Sequence, residues 1–232
     1  MESFVQFRFA CRRWARGLSL VLLGLGLTYC ASMRGTVSGG RYTSPDGRVS
    51  VAIPSFSGTG RFQEHHDSSY FGVIMTDDVG ALYRAEGFHP PLPATFDGKS
   101  TRACTEAALH NALTVIRSVC PAARIASSRF DPGLLGGAMI ATVRMPAGSV
   151  AMVQKNAGPG RRVDSQRVLV IFKCNGALVT IAHHGGDLPT LMDEVLGIGN
   201  RQKEIDAGDE RRAIRFAQSM RYQPKNSNST ES

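Results

Sequence analysis

The sequence predicts an α+β fold, a mostly antiparallel sheet with helices packed on it. Three observations predict this. Short alternating or apolar runs, bounded by turn-forming residues, recur along the chain. One long stripe of helical periodicity interrupts them between residues 101 and 119. Helical stretches then close the chain, so strands and helices are grouped rather than strictly alternating. With 42% hydrophobic residues, the roughly 200 residues behind the leader suit one domain with a sizeable core. Residues 1–29 read as a signal peptide and 30–40 as a tether. Residues 41–223 read as a single α+β domain, and 224–232 as a disordered tail.

The leader sets the compartment. Arg8, Arg12, Arg13 and Arg16 precede an apolar run from Gly17 to Thr28. That run is about a dozen residues, whereas a spanning helix needs roughly 20. A basic segment followed by an apolar run of this length is the pattern of a secretory signal peptide. Leu27-Thr28-Tyr29-Cys30 resembles the lipobox of bacterial lipoproteins, in which the cysteine becomes the lipidated first residue. Tyr29 stands where a small residue is usual. Cleavage just beyond, at the small residues Cys30, Ala31 and Ser32, and retention of the leader as a short anchor remain alternatives. Arg12-Arg13 is followed by Trp14-Ala15-Arg16 rather than an apolar pair, which argues against a twin-arginine signal.

Behind the tether, Pro45-Asp46-Gly47 is a turn signal. Val49, Val51 and Ile53 then alternate with Ser50 and Ala52 as a strand stopped by Pro54. Ser55 to Ser69 reads as a loop. Tyr70 to Met75 and Ala81 to Phe88 read as a strand pair turned at Asp77-Asp78-Val79-Gly80. Thr101 to Val119 is the strongest helix, with Leu109, Ala112, Leu113, Ile116, Val119 and Cys120 on one apolar face and Pro121 ending it. Arg124 to Phe130 and Ala138 to Met145 read as strands. Met139, Ala141, Val143 and Met145 share a face, and Ser149 to Val153 extends the second strand beyond Pro146.

Arg167 to Cys174 and Ala177 to His184 form the clearest hairpin, because Asn175-Gly176 fits a type I′ turn. Val168 to Phe172 is continuously apolar, so it should be a central strand covered on both faces. Asp187 can cap a helix from Leu188 to Leu196. Asp209 to Tyr222 reads as the last helix, with acids first and arginines later, as the helix dipole favours.

The stretch from Tyr42 to Pro54, YTSPDGRVSVAIP, resembles the start of PsbP-like domains, and Phe216 to Tyr222 is similar in character to their end. The resemblance implies an α/β/α sandwich of the kind found in thylakoid-lumen proteins and in bacterial envelope lipoproteins of the DcrB type. It implies no catalytic set, since that family shares none.

The formal charge is +8. Four arginines and Glu2 place +3 of it in the leader, leaving +5 for the rest. The remaining arginines are scattered among acids. The continuous basic stripe with interleaved aromatics that nucleic acid requires is absent. Cys104 and Cys120 sit at opposite ends of one predicted helix, about 24 Å apart, beyond bridging distance. Either Cys174 pairs with one of them or all three are buried thiols. The absence of C-x-x-C argues against a thioredoxin-type site.

For chemistry, the candidates are histidines. His66 and Asp67, with His184 and Asp187, could hold zinc or copper if the two regions meet, since imidazole and carboxylate suit both metals. The spacing of H-E-x-x-H is absent, and so is G-x-S-x-G. No residue is assigned a catalytic role and no cofactor is expected. The sequence therefore points to an exported, lipid-anchored envelope protein in the periplasm. It would act as a non-enzymatic binding or assembly accessory, with the membrane and an envelope protein as partners. A metal-binding protein or metal-dependent enzyme is the alternative.

Overall fold

The computed structural model describes residues 34–54, 61–78, 80–150, 162–185 and 202–224. Two antiparallel sheets and two helices make up the described architecture, as the α+β reading expects. The small sheet holds β1 (Thr36–Ser38), β2 (Arg41–Thr43), β3 (Val49–Ala52) and β11 (Arg221–Tyr222), in that order. The large sheet runs β4 (Arg61–His66), β5 (Tyr70–Thr76), β6 (Leu82–Phe88), β10 (Ala177–His184), β9 (Arg162–Cys174), β8 (Ala138–Val150) and β7 (Arg124–Asp131). The helices are α1 (Thr101–Val119) and α2 (Gln202–Gln218).

The central strand shows why the layers form. In β9, Val168, Val170 and Phe172 point to one face and Leu169 and Ile171 to the other, each at most 2% exposed. Successive strand residues alternate faces, so a strand apolar at every position must be covered twice. Helix α1 covers the face of Leu169 and Ile171 with Cys104, Leu109, Leu113 and Ile116. The opposite face packs against Tyr42, Val49 and Val51 of the small sheet and Ala213, Phe216 and Ala217 of α2. Each large side chain buried this way contributes on the order of 1.5–3 kcal/mol. Ser100 caps α1, its Oγ accepting from Ala103 N at 3.3 Å. Asn175 (φ 47°) and Gly176 (φ 85°) form the β9–β10 turn with the two positive φ values that type I′ requires.

Four elements differ from the sequence reading. Residues 61–66, inside the expected loop, form edge strand β4, paired with β5 from Arg61↔Thr76 to His66↔Phe71. Its inward positions are Phe62, Glu64 and His66, so the alternation carries polar side chains on the packed face and escapes a hydrophobicity pattern. Part of the expected tether forms β1, paired with β2 across a Gly39-Gly40 turn. The last helix starts at Gln202 and stops at Gln218; Arg221 and Tyr222 instead pair with Ser50 and Val49. Tyr222, 2% exposed, lies 6.2 Å from the Phe71 ring centroid, and that packing decides the local structure. Val119 is 81% exposed, because the buried stripe of α1 ends at Ile116 and passes to Cys120.

The three cysteines of the domain are free thiols, with Cys104 and Cys120 buried and Cys174 half-buried. Cys174 packs with the small-sheet side, whereas Cys104 and Cys120 pack beneath α1, so the sheet separates them. The leader, Cys30, the expected 188–196 helix and the 225–232 tail lie outside the described residues.

Gly87 gives the fold a sharp test. A Cβ there would clash with the backbone oxygen of Leu178 in β10 and lie 2.8 Å from Phe71 Cζ. Gly87→Ala is expected to cost at least about 1–3 kcal/mol, the usual range for overpacking. A urea midpoint unchanged from the parent would show that β6 and β10 do not approach this closely.

Candidate functional site

Sequence reasoning paired His66 and Asp67 with His184 and Asp187, and the structure does not bring the two histidines together. Through the registers His66↔Phe71, Phe71↔Gly87 and Gly87↔Val179, His66 is level with Val179. His184 lies five residues further along β10. Three strand spacings, roughly 14 Å, also separate β4 from β10. The two side chains point to opposite faces, since His66 shares the face of Phe71 and Val179 and His184 the alternate one. Asp187 lies outside the described residues. Asp67 serves the β4–β5 turn. Its Oδ1 accepts from Ser69 N at 2.7 Å, Ser69 Oγ at 2.9 Å and Tyr70 N at 2.8 Å. Those bonds hold its carboxyl down at about 2. Among the described residues, no group of three His, Cys, Asp or Glu side chains is arranged to hold a metal ion.

His66 belongs instead to a buried polar cluster with the small sheet. Tyr42 donates its single hydroxyl proton to Glu64, so the hydroxyl oxygen accepts from His66 Nε2 at 2.9 Å. Both Glu64 oxygens accept from Gly35 N at 3.0 Å. Burial lowers the pKa of His66, against the pull of Glu64, and raises that of Tyr42. The cluster ties the edge strand β4 to β2.

A second cluster fastens α2 to the large sheet. Asp209, 2% exposed, accepts from Arg212 Nη2 at 2.6 Å and from Gln166 Nε2 at 3.2 Å. Arg212 Nε donates to His183 Nε2 at 3.2 Å, which leaves the ring proton on Nδ1. Tyr83 stacks on His183 with centroids 4.5 Å apart. Burial lowers the pKa of His183 and pushes that of Tyr83 up to about 12.

This second cluster stands behind an open cleft of about 620 Å³ between the sheet edge and α2. Ala126, Ser127, Thr142 and Arg144 line it from β7 and β8; Ala207, Glu210 and Arg211 line it from α2. A register shift between Ile125 and Ser127 inserts Ala126 as an extra residue and turns this part of the edge strand toward the cleft. Gln166 of the buried cluster is the register partner of Arg144, so the two sites share a strand level. Arg129 grips Glu210 with a two-pronged contact, at 2.9 Å to Oε2 and 2.6 Å to Oε1. Arg211 Nε donates to Ala207 O at 3.3 Å, one helical turn back. The result is an arginine-bearing, hydroxyl-lined depression whose acid is already neutralised.

No protein-family model matches the sequence, and no curated protein matches it. Among solved structures, the chain is similar to the solution structure of cyanobacterial PsbP (CyanoP) from Synechocystis sp. PCC 6803. The identity is 10% and the TM-score 0.44, over 82% of this chain and 95% of that one.

Sequence reasoning missed the cleft. Its arginines, Arg144 and Arg211, are 67 positions apart and neither lies in a basic run. The weak signal was the pairing of Asp209-Glu210 with Arg211-Arg212, read only as dipole compensation. It in fact sends one acid into the core and the next into the cleft. Among the described residues, no helix is long and apolar enough to cross a membrane.

Proposed function

We propose that the protein is an exported cell-envelope protein, held at the membrane by a lipid on Cys30 or by its leader, that acts as a non-enzymatic binding accessory. The cleft between β7, β8 and α2 is the observation that carries this reading, because it gathers charged and hydroxyl side chains from three elements in an opening of ligand size. The three buried histidines support it. His66, His89 and His183 are each spent on packing and hydrogen bonding inside the domain, at 2.9 Å to Tyr42, 2.9 Å to Tyr222 and 3.2 Å to Arg212. The basic leader and its short apolar run support export and tethering. A lipid-anchored periplasmic domain of the DcrB type, serving an envelope assembly, is the finer form of the proposal.

Two measurements test it. Intact mass of the membrane-extracted protein should show an acylated Cys30 as first residue, and Cys30→Ser should release the protein from the membrane. Retention of Met1 in a protein that fractionates away from membranes would overturn the tethering. For the binding role, the purified protein should turn over no generic ester, phosphate or peptide substrate. Turnover lost on one substitution would make it an enzyme.

A further inference from the structure

We propose that the cleft between β7, β8 and α2 binds a neutral, polyhydroxylated ligand, a saccharide. The inference rests on the reading of the domain as a binding module and adds the ligand chemistry that its cleft selects.

Most charges around the cleft are committed within the protein. Both Glu210 oxygens accept from Arg129, which bridges β7 to α2 and ties the two walls together. Arg144 has a partner of its own. Arg211 stands beside Glu210 on the helix and gives its Nε to Ala207 O at 3.3 Å. An anion brought here would face the Glu210 carboxylate, and a cation would face Arg211. What stays open is hydrogen-bonding capacity of both kinds. Each Glu210 oxygen keeps a second lone pair, and the Arg211 Nη groups have no partner among the described residues. Arg129 holds the Glu210 carboxyl below its usual range, so it remains an acceptor at neutral pH.

The sheet wall adds two groups that both donate and accept. Ser127 and Thr142 are register partners on neighbouring strands, and both line the cleft. Thr142 is only 9% exposed. Its hydroxyl has no partner among the described residues, yet it is not among the polar atoms sealed from solvent, so it opens on the cleft. The apolar lining is limited to the methyl groups of Ala126 and Ala207. Such walls offer no pocket for an acyl chain or a large apolar side chain, so a ligand must be polar along its length. A sugar ring meets that demand. Each of its hydroxyls donates once and accepts through two lone pairs, as serine and threonine hydroxyls do. Neighbouring ring hydroxyls can therefore give to Glu210 and Ser127 and take from Arg211 and Thr142. The volume of about 620 Å³ lies within the usual range of small-molecule sites.

The test uses the full-length protein in a polyoxyethylene detergent, which carries no sugar headgroup, titrated calorimetrically with maltose and with diacetylchitobiose. At least one should bind saturably, with a Kd of about 1 mM or tighter. That Kd should move by less than about twofold on raising sodium chloride to about 1 M, because the ligand has no charge to screen. Thr142→Val, which keeps the side chain's shape and removes its hydroxyl, and Arg211→Gln should each weaken binding by about three- to tenfold, the loss of one hydrogen bond. Their thermal midpoints should stay like the parent's. No saturable heat with either sugar overturns the proposal, as does sugar binding that the double variant retains. Sodium phosphate and the neutral tripeptide trialanine are the competing probes. If one of them binds, and the double variant loses it, while the sugars fail, the saccharide assignment falls but the binding module stands. If every probe fails, both fall.

Discussion

Replacing Asp209 by alanine is expected to destabilise the protein by about 3 kcal/mol, the lower end of the range for breaking a buried ion pair. The carboxylate side chain is 3% exposed and accepts from both Arg212 and Gln166. Removing it leaves Gln166 Nε2 buried without its acceptor, which costs about 1–3 kcal/mol by itself. The guanidinium of Arg212 is half exposed and can turn into water, so the full penalty of a stranded charge does not apply. Asp209→Asn should lose less, because an amide oxygen keeps one hydrogen bond while giving up the charge. Urea denaturation of the three proteins checks the order parent, Asn, Ala. A loss below about 1 kcal/mol for alanine would mean that α2 is held by Phe216, Ala217 and Ala213 alone.

How far the sequence announced this structure depends on what each element relies on. The β9–β10 hairpin was legible because Asn175-Gly176 and the apolar run of Val168 to Phe172 are local signals, and both act within a few residues. Helix α1 was legible for the same reason. Strand β4 was not, since its inward Glu64 and His66 are made acceptable by Tyr42, more than 20 positions away. Tyr222 is strand rather than helix because Val49 lies opposite it, a contact across most of the chain. The site follows the same rule. His66, Asp67 and His184 looked like ligands because histidine and aspartate sit next to one another in sequence. The sheet alternation and the strand order then sent His66 and His184 to different faces, one on the edge strand β4 and the other on the middle strand β10. The cleft was invisible because it is assembled from three elements, and only the bulge at Ala126 and the docking of α2 put its parts together.

Acid is expected to unfold the protein earlier than its carboxylates alone would dictate. His66, His89 and His183 all have pKa values lowered by burial, and all lie between the large sheet and the layer formed by the small sheet and α2. Each has one ring nitrogen without a partner among the described residues: Nδ1 of His66, Nε2 of His89 and Nδ1 of His183. In His66, whose Nε2 proton goes to Tyr42, an imidazolium would add a buried N–H on Nδ1; in His183, whose Nδ1 already holds the proton, it would put a second N–H on Nε2 against the Arg212 Nε–H, and in each case a charge is buried as well. The neighbouring acids do not rescue it. Glu64 already accepts from Gly35 and Tyr42, and Asp209 from Arg212 and Gln166. The sign follows from linkage. Below about pH 6.5 the unfolded chain protonates its histidines while the folded one resists. The stability contributed by the neutral rings is therefore complete above that pH and is lost as pH falls toward the lowered folded values. Each histidine adds a slope of at most about 1.4 kcal/mol per pH unit. Asp46, held at about 2 by Ser44 and Arg48 despite burial, Asp67, also at about 2, and Glu210, lowered by Arg129, add their loss only below about pH 5. Urea unfolding between pH 7.5 and 5.5 should thus show stability falling through a window where carboxylates are silent. His183→Gln, which cannot be protonated, should flatten that slope while lowering stability at pH 7.5. A stability that is level from pH 7.5 to 5.5 would mean that the three rings reach water in the folded state, and that the layer over the large sheet is open rather than sealed.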